Sequence, residues 1–261
     1  MRVLRFLPFV FASLLSIVPL PLPAQQAPSA TKDPQAVSIL TQALGAAGGT
    51  TAILALADYK ATGTVTYHEN QDLTGSVTLR GLGFTEFRED ASLPSGIRSF
   101  SIHNGLATTK SEAGGIRHHT FRYQLPLMES SILVPCWQLA AAVGDPLFGL
   151  SYKGTTTVDG YTVHDIRIQL MPPGPPDPNG VVAEYFGADF FVDTTTFQVR
   201  MTQDVVIDHF PRKVRFSNYK TVNGVLVPFS IDEEVNGQRT QTIQLEQSGF
   251  NTGLQGSDFE L

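Results

Sequence analysis

One cysteine, Cys136, stands among 261 residues, so no internal disulfide can hold the fold. A lone cysteine in an exported chain is a reactive thiol, an intermolecular link or a buried small hydrophobe. Its neighbours Leu133, Val134, Pro135, Trp137 and Leu139 are apolar, with Gln138 the exception, and the expectation is a buried, inert thiol. Charge is also sparse. Charged residues make up 16% of the chain, and 24 acidic side chains outnumber 18 basic ones for a net charge of −6. Nucleic-acid binding requires a basic footprint, so that class is excluded, and anionic membrane surfaces are disfavoured. The glycines mark turns: no G-x-x-x-x-G-K-[ST] loop and no strand-linked G-x-G-x-x-G occurs. Nor is there a G-x-S-x-G elbow for a hydrolytic serine.

The start of the chain has the form of a secretory signal. Arg2 and Arg5 give a basic lead, residues 6–22 an apolar stretch, and Pro23-Ala24 precede polar Gln25-Gln26. Cleavage is expected after Ala24, although Leu22 is larger than the small residue usual at that position. The mature chain of residues 25–261 then keeps 16 basic and 24 acidic residues, net −8. It is long enough for one large β domain with a real core. Aromatics at 10% confine disorder to the ends, and residues 25–32 are read as a disordered mature N-terminus. Residues 33–261 are read as a single domain.

Asp33-Pro34 reads as a helix N-cap followed by proline at the first helical position. Val37, Leu40 and Leu44 follow at helical spacing up to Gly45, and a short second helix is expected near 51–56 after Gly48-Gly49. From Tyr59 the pattern turns to strands. They are expected near 59–68, 73–80, 83–89, 97–103, 106–111, 116–123, 148–157 and 161–170. Others follow near 184–193, 196–206, 212–219, 225–235 and 238–247. Turn signals separate them: Pro94-Ser95-Gly96, Asn104-Gly105, Gly114-Gly115, Asp193-Thr194-Thr195, Asn223-Gly224 and Asn236-Gly237. Residues 172–180 (PPGPPDPNG) form a proline loop that cannot be regular structure. Residues 127–143 break the β pattern, and the expectation there is two short helical turns meeting at Pro135. That stretch is too short and too polar to span a membrane.

The closing meander, residues 191–261, alternates apolar and polar residues with a period of two. Phe197, Val199 and Met201 are expected on one face, with Gln198, Arg200 and Thr202 on the other. Phe216, Val225, Val227, Phe229, Ile231, Ile243 and Leu245 continue the apolar stripe. Chemistry-bearing clusters are weaker. His118 and His119 are adjacent on a strand and face apart, as do His164 and Asp165, so neither pair joins in one metal or catalytic site. Asp232, Glu233 and Glu234 lack the ligand spacing of a calcium loop. No catalytic residue, metal or cofactor is called for, and an enzyme is not the expectation. A membrane-embedded β-barrel is disfavoured by short strands and the helical segments.

Several segments carry a resemblance. Residues 190–201 (FFVDTTTFQVRM) give strand, Asp-x-x-Thr turn, strand, and residues 214–231 (VRFSNYKTVNGVLVPFSI) give a Tyr…Gly…Pro hairpin. Residues 242–261 (TIQLEQSGFNTGLQGSDFEL) give a closing strand, an Asn and a terminal Phe segment. Residues 40–65 (LTQALGAAGGTTAILALADYKATGTV) give helix, Gly-Gly turn, short helix and first strand. Together they resemble the periplasmic lipoprotein-carrier superfamily, the LolA/LolB-like proteins of outer-membrane lipoprotein sorting.

The resemblance implies a mainly β protein with a few short helices: an open antiparallel half-barrel with a helical plug or lid. It further implies a periplasmic carrier or sensor that shelters lipid or lipoprotein acyl chains in a concave apolar cavity without bond chemistry. An inner-membrane donor and an outer-membrane receptor would be its partners. Leu133, Trp137 and Leu139 are then candidate lid residues, with an ordinary core helix as the alternative, and Phe197, Val199, Met201 and Phe216 are candidate lipid contacts, with core packing as theirs. The alternative is a secreted β-rich adhesion or assembly module with a filled core.

Overall fold

The computed structural model describes residues 30–119, 134–171, 186–206 and 210–261. The expected signal segment, the proline loop and Leu133 lie outside the described residues. Thirteen strands form one antiparallel sheet in the order β6-β5-β4-β3-β2-β1-β13-β12-β11-β10-β9-β8-β7. They are β1 (Asp58–His68), β2 (Asp72–Leu82), β3 (Glu86–Leu93), β4 (Gly96–His103), β5 (Leu106–Lys110), β6 (Ile116–His119) and β7 (Phe148–Val158). The second half holds β8 (Tyr161–Leu170), β9 (Gly187–Asp193), β10 (Val199–Val206), β11 (Phe210–Val222), β12 (Val225–Val235) and β13 (Gln238–Phe250). Every neighbour pair is sequential except β1 with β13, which ties the two halves together. β6 and β7 lie at the two ends of this order and do not pair with each other among the described residues, so the sheet is an open half-barrel.

Local chemistry sets the turns. Asn104-Gly105, Asp159-Gly160, Asn223-Gly224 and Asn236-Gly237 all adopt positive φ at both residues, as tight hairpins of right-handed twist require. Register shifts at Thr62/Gly63, Tyr152/Gly154, Val199/Met201 and Glu233/Glu234 mark bulges, which bend and twist a sheet locally. β3 starts three residues later than the sequence predicts and runs to Leu93, because Gly83 takes a left-handed φ of 56° inside the preceding turn.

Among the described residues three short helices cover one part of the concave face: α1 (Pro34–Ala46), α2 (Thr50–Leu54) and α3 (Pro135–Gly144). Asp33 caps α1 by accepting from the N–H groups of Gln35 (2.7 Å) and Ala36 (3.4 Å). Ala36, Ile39, Leu40, Ala43 and Leu44 are its buried side, the three-and-four spacing of a helix packed on one face. Pro135 begins α3, the second of the two helical turns expected to meet there; the turn expected before it lies outside the described residues. At the first position its missing N–H costs nothing, and buried residues surround α3 almost entirely. Residues 30–32, expected within a disordered end, instead run beside β7: Leu150 N–H donates to Thr31 O (3.0 Å) and Asp33 N–H to Leu150 O (2.9 Å). Lys32 Nζ caps α3 by donating to Val143 O at 2.8 Å.

The chain's end is anchored by Asp58. This buried carboxylate accepts from Thr252 N–H (2.6 Å), Thr252 Oγ1 (2.7 Å), Gly253 N–H (2.9 Å) and Leu254 N–H (3.3 Å). Burial works to raise its pKa, but these donors outweigh it and hold the group below its ordinary value. A lowered folded pKa stabilises the fold above the unfolded value of about 4 and loses that contribution as pH falls through the folded one. Asp58→Asn is therefore expected to flatten the acid limb of stability when unfolding free energy is measured from about pH 5 down to about pH 2. An acid limb as steep as that of the wild type would show that the anchor lies elsewhere.

Candidate functional site: a concave face in two halves

The main apolar cluster joins the concave face of the sheet to the three helices. Trp137 is its largest member: the indole is 2% exposed, donates Nε1–H to Ile53 O (3.0 Å), and lies 5.7 Å from both the Tyr59 and Phe84 rings. Tyr59 in turn lies over Gly81, where an added Cβ would run into its ring. Among the described residues the helix-covered half holds a crevice of about 20 Å³ between α1, α3 and strands β10–β12, lined among others by Ala43, Ala46, Cys136, Leu139, Phe197 and Val199. That is room for about one water. Burial pushes the Cys136 thiol up to about 12, so it is inert there.

The other half is open and polar. A cleft of about 660 Å³ is enclosed between β1, β3–β6 and the β12–β13 pair. On its floor Tyr67 Oη donates to Glu89 Oε1 (2.5 Å), and Gln241 Nε2 donates to the same oxygen (2.8 Å). Burial, and next the charge of Glu89, hold the Tyr67 phenol well above its ordinary range. The Arg98 guanidinium lies 4.5 Å from the Tyr67 ring centroid and pairs with Glu112 (2.7 Å) and Glu69 (2.7 Å). At the β12 side Arg212 and Asp204 form a buried two-pronged pair (3.1 and 2.9 Å), with Glu233 Oε2 at 3.6 Å from Arg212.

The structure brings most of the sequence-based candidates together, but not all. Trp137, Leu139, Val199 and Phe216 are buried in the main cluster, and Phe197 packs half-buried against it. Leu139, Phe197 and Val199 meet at the crevice. Met201 does not join them. It belongs to a second cluster with Val158, Val163 and Phe191. The cause is local: Phe197 takes a left-handed φ of 56°, and Val199 pairs with Val192 while Met201 pairs with Phe191. Two steps on β10 thus oppose one on β9, and the alternation slips by one residue. Phe197 is held there by stacking on His164, centroids 6.5 Å apart, and burial lowers the His164 pKa.

The remaining motifs resolve as the strand geometry requires. His118 and His119 bond separately to Thr108 (3.0 Å) and Thr109 (3.1 Å). Asp232 is bonded by Thr242, Glu233 by Thr240, and Glu234 pairs with Arg215. Among the described residues no group of three His, Cys, Asp or Glu could hold a metal ion, and no helix is long and apolar enough to cross a membrane. Tyr67, Glu89, Arg98 and Gln241 escape a search for motifs because each lies on a different strand. Their signal is a polar side chain at the apolar parity of its strand, as Glu89 between Phe87 and Ala91.

Solved structures share this architecture. An outer-membrane lipoprotein-sorting protein domain from Vibrio parahaemolyticus superposes with a TM-score of 0.53 at 11% identity, covering 87% of this chain and 96% of its own. A LolA superfamily protein from Nitrosomonas europaea gives 0.53 at 10%, covering 87% and 97%. The chain has the LolA/LolB-like fold. A DUF1329 family protein from Desulfovibrio piger matches equally, with a TM-score of 0.53, 12% identity and coverage of 86% and 97%. No protein-family model matches the sequence, and no curated protein does. The LolA-like likeness is therefore one of fold, carried by the half-barrel and its helical plug.

Proposed function

We propose that this protein is an exported, periplasmic carrier of lipid or lipoprotein acyl chains, acting without bond chemistry. The supporting observation is the LolA-like half-barrel whose apolar concave half is covered by short helices rather than by a second sheet. Helices α1 and α3 meet β10 at the Leu139–Phe197–Val199 crevice, and an acyl chain would enter by parting them there. Each methylene so buried is worth about 0.8 kcal/mol, ample to offset separating small contacts such as those of Ala43 and Ala46. A donor at the inner membrane and a receptor at the outer membrane would complete the route.

Mass spectrometry of lipids extracted from natively purified protein tests the reading directly, and bound acyl lipid is the expected result. Ala46, exposed at the crevice mouth, locates the entry. Ala46→Trp is expected to weaken fluorescent fatty-acid binding about tenfold with an unchanged thermal midpoint. A protein that is consistently empty and binds no fatty acid would overturn the carrier reading in favour of an adhesion module.

A further inference from the structure

Helix α3 is finished by a residue outside it. The last carbonyls of a helix lack partners within it, and α3 has no basic residue in its own last turn to meet them. Lys32, 111 residues before, does so by donating from Nζ to Val143 O at 2.8 Å. The ammonium also meets the negative end of the helix dipole, and the lysine is half-buried in that position. A helix of 10 residues is marginal by itself, so a tie at its end bears on the whole element.

Lys32 is positioned by the segment that opens α1. Ala30 N–H donates to Pro146 O (3.0 Å), Leu150 N–H to Thr31 O (3.0 Å) and Asp33 N–H to Leu150 O (2.9 Å). These bonds lay residues 30–33 along the first residues of β7, and Asp33 then caps α1. The segment thereby joins the loop after α3, β7, α3 itself and α1. The two helices run in opposite senses between it and the crevice. Helix α1 leaves it at Pro34 and lines the crevice with Ala43 and Ala46; α3 lines the crevice with Pro135, Cys136 and Leu139 and returns to the segment at Val143. The far end of α1 has a backbone tie of its own, Leu226 N–H to Ala47 O at 2.9 Å, with Gly48 packed where an added Cβ would strike Gly224 O. Helix α3 instead takes its C-terminal tie from the Lys32 side chain.

We propose that residues 30–33 are a latch on the helical plug. Seated on β7, they hold the last turn of α3 through Lys32; lifted, they loosen α3 along its length and widen the crevice at its other end. The latch stands on the hydrogen bonds of this segment, and rests on the carrier reading for what enters the crevice.

Two variants cut the latch at different points. Lys32→Met removes the donor and keeps an aliphatic stem, and Ala30→Pro removes the N–H given to Pro146 while leaving Lys32 in place. Amide hydrogen exchange read residue by residue by NMR is expected to quicken about fivefold in each, the size of one hydrogen bond at a helix end. The increase should reach Trp137 and Leu139 by the crevice as well as Val143 and Asp145 by the latch, with the amides of β12 unchanged as the check on folding. A fivefold larger open population raises the apparent affinity of a ligand of the open state by the same factor, so a fluorescent fatty acid should bind both variants about fivefold more tightly. Quicker exchange confined to Val143 and Asp145 would make Lys32 a helix cap and overturn the latch, as would no change in either variant. Quicker exchange along α3 with unaltered fatty-acid affinity would overturn its control of the crevice. Quicker exchange along α3 with no fatty acid bound by wild type or variants would keep the latch and overturn the carrier reading.

Discussion

Trp137→Ala is expected to lower the unfolding free energy by about 3–5 kcal/mol, the range for removing a large aromatic from a packed core. Three losses combine. The indole fills the junction of α2, α3 and β1, its 2% exposure leaves little room for solvent to enter, and its N–H satisfies the Ile53 carbonyl at 3.0 Å. The vacated space would lie between the Tyr59 and Phe84 rings, of which Tyr59 is held on β1. Denaturant unfolding followed by far-ultraviolet circular dichroism measures this, since the variant lacks the chain's one tryptophan. Trp137→Phe retains most of the volume and should cost mainly the hydrogen bond, about 1 kcal/mol. A loss below about 1 kcal/mol for the alanine variant would mark α3 as a loosely held lid. In the described conformation Trp137 and Leu139 are both buried in the main apolar cluster.

Asp204→Ala should cost nearly as much, about 3 kcal/mol, for an electrostatic reason. The Asp204 and Arg212 side chains are 3% and 6% exposed and share two hydrogen bonds. Removing the acid leaves a buried guanidinium with its nearest described carboxylate, Glu233, at 3.6 Å. Breaking a buried pair from one side is strongly destabilising, whereas replacing both partners by apolar groups of like volume is often neutral. The Asp204→Leu/Arg212→Met double variant is accordingly expected to recover most of the stability lost by Asp204→Ala. A double variant as unstable as the single one would assign the effect to packing instead.

How legible these features were depends on the range of the interaction behind them. Asp33 and Pro34 announce α1 because a cap and a fixed φ act within one turn. Asn104-Gly105, Asn223-Gly224 and Asn236-Gly237 announce hairpins because both residues tolerate positive φ. The apolar neighbours of Cys136 announce its burial. Pro135 announces the start of α3, because its fixed φ and missing N–H suit a first helical position. The start of β3 was missed: Gly83, one residue in a left-handed conformation, moves the turn by three places.

The candidate site was legible only in part. Leu139, Phe197 and Val199 converge because their strand and helix parities happen to agree in space. Met201 departs because a bulge changes parity without changing composition, and nothing in the alternation of residues 197–201 records it. The polar cleft left a fainter trace, a polar side chain (Tyr67, Glu89, Arg98, Gln241) at the apolar parity of β1, β3, β4 and β13. One such exception on a strand says little; four meeting in space make a lining.

By itself the sequence determined the class of the fold, the caps and hairpins, and the amphipathic period of its strands. Each of these follows from contacts within a few residues. Only the tertiary structure decided that β1 pairs with β13, that β6 and β7 lie at opposite ends of the strand order, and that the described helices pack into the main apolar cluster. Strand register between distant segments, and the bulges that reset it, depend on packing across the whole sheet, so no local pattern encodes which side chains finally face one another.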